Sequence, residues 1–122
     1  MILYCCSDLL WATKVKSTAD SLGIPCRPAR TLEMLNARLA DSPVKALILD
    51  LEAGPVAMEL LARVRAAAAK PESAIRVVAF GPHVEVGALR EAAAAGAESV
   101  LTRGAFSARL PEILQDLDRA TT

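Results

Sequence analysis

The sequence predicts an α/β fold, a doubly wound, five-stranded parallel sheet covered by helices on both faces to give three layers. Three observations lead there. Five short apolar runs alternate with five segments of helical period. One run, Val44-Lys45-Ala46-Leu47-Ile48-Leu49-Asp50, is apolar at successive positions and suits a strand buried on both faces. The chain has 122 residues, 53% of them hydrophobic, which makes one domain over 1–122. A chain of that size can form its core without a disulfide or metal staple.

Taken in order, Ile2-Leu3-Tyr4-Cys5-Cys6 is the first strand. The helix from Leu9 to Leu22 puts Trp11, Val15, Ala19 and Leu22 on one face. Ser7 or Asp8 can accept from its free N–H groups and Gly23 ends it. Ile24-Pro25-Cys26-Arg27-Pro28 can pair only at a sheet edge, because its two prolines lack ladder donors. Thr31 caps a second helix that turns Leu32, Leu35 and Leu39 inward. The strand Val44–Asp50 follows, then a turn at Glu52-Ala53-Gly54 and a third helix opening on Pro55 and burying Ala57, Leu60, Leu61 and Val64. Lys70-Pro71-Glu72-Ser73 breaks the chain before the fourth strand, Ile75–Phe80. An alanine-rich fourth helix from about Glu85 to Ala95 ends at Gly96, Ser99–Thr102 is the fifth strand, and a last helix from near Ser107 to Leu117 confines Pro111 to its first turns. An edge-only second strand fits the order 2-1-3-4-5, the flavodoxin-like arrangement.

Composition narrows the function. Fourteen basic and 14 acidic residues give zero formal charge, and four aromatic residues (Tyr4, Trp11, Phe80, Phe106) are too few for a base-stacking platform. Direct nucleic-acid binding is therefore not expected. The apolar runs are short and broken by charge, so no membrane span is expected. Met1-Ile2-Leu3-Tyr4 lacks the features of a signal peptide. Three cysteines without zinc-ligand or redox-motif spacing fit a cytoplasmic domain. Glycine patterns for a dinucleotide or a P-loop are missing, so enzyme activity of its own is not expected.

Ligands of such sheets gather at the carboxyl ends of the strands. That end collects Cys6, Ser7 and Asp8; Asp50 and Glu52; Gly81, Pro82 and His83; and Thr102, Arg103 and Gly104. The runs Ala46-Leu47-Ile48-Leu49-Asp50-Leu51 and Ala92-Ala93-Ala94-Ala95-Gly96-Ala97-Glu98-Ser99-Val100-Leu101-Thr102-Arg103 carry a resemblance. From Ile2 to Leu117 the chain resembles the receiver domains of bacterial two-component response regulators, in a degenerate form. The resemblance implies an aspartate phosphoacceptor ending the third strand, which falls on Asp50. It also implies two magnesium-holding acids, which fall on Cys6 and Ser7 with Asp8 one place late. A Ser or Thr at the end of the fourth strand falls on Gly81, and a lysine at the end of the fifth falls on Arg103.

Magnesium is usually anchored by one or two carboxylates in near-octahedral geometry. A thiol and a hydroxyl are poor replacements, and arginine does not stand in for a compact ammonium. The expectation is thus a pseudo-receiver with phosphoryl transfer lost or weakened and no resident cofactor. It would act through a protein partner, whether a histidine kinase, an effector or a second copy. Its contact surface would be the fourth helix, fifth strand and fifth helix, where Glu85, Arg90, Glu91, Ala94, Arg109 and Glu112 lie and a homodimer would form.

One alternative is a phosphorylatable receiver using Asp50, with a weak magnesium site at Asp8 and Asp50. Another is a small-anion or metabolite binder in the same crevice. More modest readings stand beside these: Asp50 as a solvated carboxylate, paired with Arg103 across the crevice; Arg103 as a surface cation; the cysteines as small buried hydrophobes. Cys6 would sense redox state only if a neighbour such as Arg103 lowered its pKa.

Overall fold

The computed structural model describes residues 1–66 and 74–119. The break expected at Lys70-Pro71-Glu72-Ser73 lies outside the described residues. Five parallel strands form one sheet in the order β2-β1-β3-β4-β5. They are β1 (Ile2–Cys5), β2 (Cys26–Pro28), β3 (Ala46–Asp50), β4 (Arg76–Gly81) and β5 (Ser99–Thr102). The sheet and its order agree with the sequence expectation. The proline-flanked β2 sits at the rim, where Ile2 pairs with Cys26 and Tyr4 with Pro28.

Strand alternation divides the core into two layers. Ile2, Tyr4, Ala46, Ile48, Val78 and Phe80 meet Val15 and Ala19 of α1 (Leu9–Ser21) and the last two helices. Leu3, Cys5, Leu47, Leu49, Val77 and Ala79 meet α2 (Leu32–Asp41), α3 (Pro55–Arg65) and α4 (Val86–Ala94) on the other face. Every residue of β3 is buried, as its unbroken apolar run requires.

The end of the chain departs from expectation. In place of one helix from Ser107 there are two, α5 (Arg103–Ala108) and α6 (Leu110–Arg119). Thr102 stays extended and its Oγ1 accepts from the N–H of Ala105 at 3.3 Å, which starts α5 directly after β5. Pro111 could not sit deep inside one continuous helix, because it has no N–H and its ring would crowd the preceding turn. The chain breaks at Arg109, and Pro111 falls second in α6. The turn after β3 is likewise more regular than expected, a 3₁₀ turn over Leu51–Ala53. Gly54 has φ +82°, a conformation open to glycine, and hands the chain to Pro55 at the start of α3.

Candidate functional site

Asp50 closes β3 and is fully buried, the only buried charged side chain among the described residues. It is not the solvated carboxylate of the simplest expectation. Its Oδ2 accepts from the Ser7 amide at 3.1 Å and from Ser7 Oγ at 2.8 Å. Its Oδ1 accepts from the Glu52 amide at 2.9 Å, which caps the 3₁₀ turn. A buried carboxylate costs several kcal/mol unless it is compensated. Here three donors, two of them backbone, do the compensating. The contacts also fix the β1–α1 connection against the end of β3.

The other strand-end residues are each engaged locally. Asp8 caps α1, its Oδ1 accepting from the Trp11 amide at 2.9 Å. Burial first, and then the Asp50 charge, push the Cys6 thiol from 9.0 up to about 12. The same two causes raise Cys5 to about 11. A lowering of the Cys6 pKa by Arg103 is therefore overturned, because a half-buried thiol beside a carboxylate resists ionisation. Cys5 packs in the α2–α3–α4 layer and Cys6 against the α1 layer, on opposite sides of β1.

Arg103 opens α5, and its ion-pair partner is Glu52 rather than Asp50. Its guanidinium carbon also lies 5.9 Å from the centre of the Trp11 ring, within cation–π range. That ring packs on Phe80 and Phe106 with centroids 5.2 and 6.1 Å away, and the two phenylalanines stack at 4.0 Å. The Arg103 Nε is buried without a hydrogen-bond partner among the described residues. Gly81 ends β4 opposite Thr102 with an ordinary φ. A Cβ there would touch Leu51 at 3.4 Å and Leu89 at 3.7 Å, normal contact distances. Glycine at this position is therefore demanded by neither backbone nor packing, and no hydroxyl reaches toward Asp50 from β4.

These donors do not fit a magnesium ion. Both Asp50 oxygens already accept hydrogen bonds, an Asp8 oxygen is committed to the helix start, and Cys6 stays protonated. Magnesium takes hard oxygen ligands in octahedral array. Among the described residues no group of three or more His, Cys, Asp or Glu is placed to hold a metal ion.

Of the expected site residues, the structure therefore joins Ser7 to Asp50 and Glu52 to Arg103. Asp8 is turned to α1, and Gly81 brings no side chain to the group. The sequence reading did not anticipate Glu52 as the partner of Arg103 or as an amide donor to Asp50. The signal was present in an Asp that precedes a short turn ending in Gly54-Pro55. His83 and Val84 are exposed on the β4–α4 connection. So are Leu9 and Leu10 at the start of α1, 77% and 75% exposed.

No family model matches the sequence, and neither does any curated protein. Solved structures do match in shape. A response regulator from Thermotoga maritima superposes with TM-score 0.76 at 14% identity, over 98% of this chain and 97% of that one. The receiver domain of NtrX from Brucella abortus gives 0.81 at 16%, over 99% of this chain and 100% of that one. The NtrX chain crystallised with ADP gives 0.79 at 17% over 95% of this chain, which spans only 26% of that longer protein. The fold is that of response-regulator receiver domains, as the resemblance implied. No helix of the described residues is long and apolar enough to cross a membrane.

Proposed function

We propose that this chain is a receiver-like signalling domain that works through contact with a protein partner, without metal-dependent transfer of a phosphoryl group to Asp50. The observation that carries this reading is the full burial of Asp50 with both carboxylate oxygens hydrogen-bonded to Ser7 and Glu52. In-line attack on a phosphoryl group needs a free carboxylate oxygen and a cation for the charge that develops on the transferring oxygens. Here both oxygens of the buried carboxylate already accept hydrogen bonds, and among the described residues no cluster of three or more His, Cys, Asp or Glu is placed to hold a cation.

Contact with a partner is the mode of action this leaves for the domain's output. Four large apolar side chains stand exposed near the carboxyl end of the sheet, Leu9, Leu10, Val84 and Val86. Exposed apolar surface of this kind marks interaction sites. The rim of α4, β5 and the last two helices adds exposed Glu85, Arg90, Glu91 and Ala94, and the pair Arg109–Glu112 at 3.8 Å. We assign kinase, effector or self contact to this rim. Three free thiols suit a reducing compartment, and we place the domain in the cytoplasm.

The test is treatment with acetyl phosphate and magnesium followed by intact-mass measurement. No hydroxylamine-labile phosphoryl adduct is expected. A magnesium-dependent adduct that disappears in Asp50→Asn would overturn the proposal.

A further inference from the structure

We propose that Ser7 is itself a phosphoryl-accepting serine, with Asp50 as the base that takes its proton. This rests on the reading above, in which Asp50 does not take the group. Ser7 is exposed, yet its Oγ lies 2.8 Å from Oδ2 of a fully buried carboxylate. The carboxylate is held from its other oxygen by the Glu52 amide at 2.9 Å. A hydroxyl, a base within hydrogen-bond reach and a third group orienting the base are the parts of an activated oxygen nucleophile. A carboxylate accepting the proton of an attacking hydroxyl is the arrangement phosphoryl transfer uses.

The surroundings complete the site. Ser7 opens into a cleft of about 310 Å³ lined by Cys6, Ser7, Asp8, Leu9, Ala12 and Arg30. Arg30 is exposed and makes no ion pair among the described residues, so it can meet phosphoryl oxygens. Cys6, the other nucleophile in the cleft, is kept in its unreactive thiol form.

The donor class is an acyl phosphate. Ser7 Oγ bonds to phosphorus, the bond from phosphorus to the acyl oxygen breaks, and the acyl group leaves as a carboxylate. The hydroxyl proton passes to Asp50 Oδ2 and, because that carboxylate is fully buried, leaves by way of a phosphoryl oxygen on the exposed Ser7. The product places a phosphate beside the buried Asp50 charge and removes the Ser7 Oγ donor. The β1–α1 connection then loosens through like-charge repulsion, which gives the domain a covalent switch without a metal.

The experiment uses the intact chain with acetyl phosphate, once with EDTA and once with magnesium, read by intact mass and fragment-ion sequencing. Expected is a metal-independent, hydroxylamine-stable phosphoserine at Ser7. It should be absent in Ser7→Ala and form at least tenfold more slowly in Asp50→Asn, with the far-UV circular dichroism of both variants unchanged. Absence of phosphoserine in both conditions, or equal labelling of Asp50→Asn and wild type, overturns this inference alone. A magnesium-dependent, hydroxylamine-labile adduct that survives in Ser7→Ala overturns the preceding section and this inference with it.

Discussion

Replacing Asp50 by asparagine separates two readings of this fold by the sign of the stability change. Where the aspartate of a receiver faces further carboxylates, neutralising it relieves like-charge repulsion and stabilises the domain. Here Asp50 instead accepts from three donors, Ser7 N, Ser7 Oγ and Glu52 N. An asparagine has one acceptor oxygen and one NH₂. Whichever way the amide points, the NH₂ meets a backbone N–H, either that of Ser7 or that of Glu52. Leaving one such donor unpaired costs about 1–3 kcal/mol, and the surviving bonds lose their charge assistance. Relief from burying a charge offsets part of this, but that burial was already compensated by the three donors. The net expectation is a loss of about 1–3 kcal/mol. In urea at pH 7, with a slope of about 1–3 kcal/mol/M, a loss of about 2 kcal/mol moves the midpoint by about 1 M. Ser7→Ala removes only the Oγ contact, and the two changes should couple by about 0.5–3 kcal/mol in a double-mutant cycle. An Asp50→Asn protein as stable as wild type, or more so, refutes the reasoning.

Two further outcomes follow from the geometry. Arg103→Ala breaks a pair whose side chains are 37% and 40% exposed, so solvent screening holds the loss to about 0.2–1 kcal/mol. Trp11 fluorescence should nevertheless change, because the guanidinium leaves its ring; an unchanged spectrum, or a loss above about 2 kcal/mol, contradicts the assignment. The three thiols give a pH signature. Burial raises Cys6 and Cys26 to about 12 and Cys5 to about 11 from 9.0, so the folded state favours the neutral thiol. The associated stability is present in full below pH 9 and is lost as pH rises from there toward 12. Iodoacetamide at pH 8 should modify the folded protein far more slowly than the urea-unfolded chain, and equal rates at Cys6 would count against the burial described.

The sheet was legible because its signals are local and repeated. Apolar runs of strand length, helical periods between them and an edge marked by Pro25 and Pro28 fix both the elements and their order. The early start of α5 was not read, because it depends on Thr102 turning from strand end to helix cap, and the break from α6 falls at Arg109, just before Pro111. The strand-end residues were gathered correctly, since topology alone brings them together. Their pairing was not. Glu52 and Asp50 are two residues apart, and either carboxylate was within sequence reach of Arg103. The 3₁₀ turn decides between them by drawing the Glu52 amide onto Asp50 and leaving the Glu52 side chain outside to meet the guanidinium.

That division of labour explains how a buried carboxylate persists here without a cation. A charge at the centre of a sheet end needs donors, and a divalent ion is one source of compensation. This chain finds another in the backbone itself, using amides at the exits of β1 and β3 that would otherwise need water. Each neighbouring side chain then acts locally, as Ser7 adds a hydroxyl, Asp8 caps α1 and Arg103 closes on Glu52 and Trp11. Apart from the Asp8 cap and the Glu52 amide, these contacts join residues distant in sequence, so they form only once the strands are paired. The buried aspartate thereby becomes a tie between two loops. The Ser7 hydroxyl, which reaches Oδ2 from an exposed residue, is where the proposed chemistry at this end of the sheet starts.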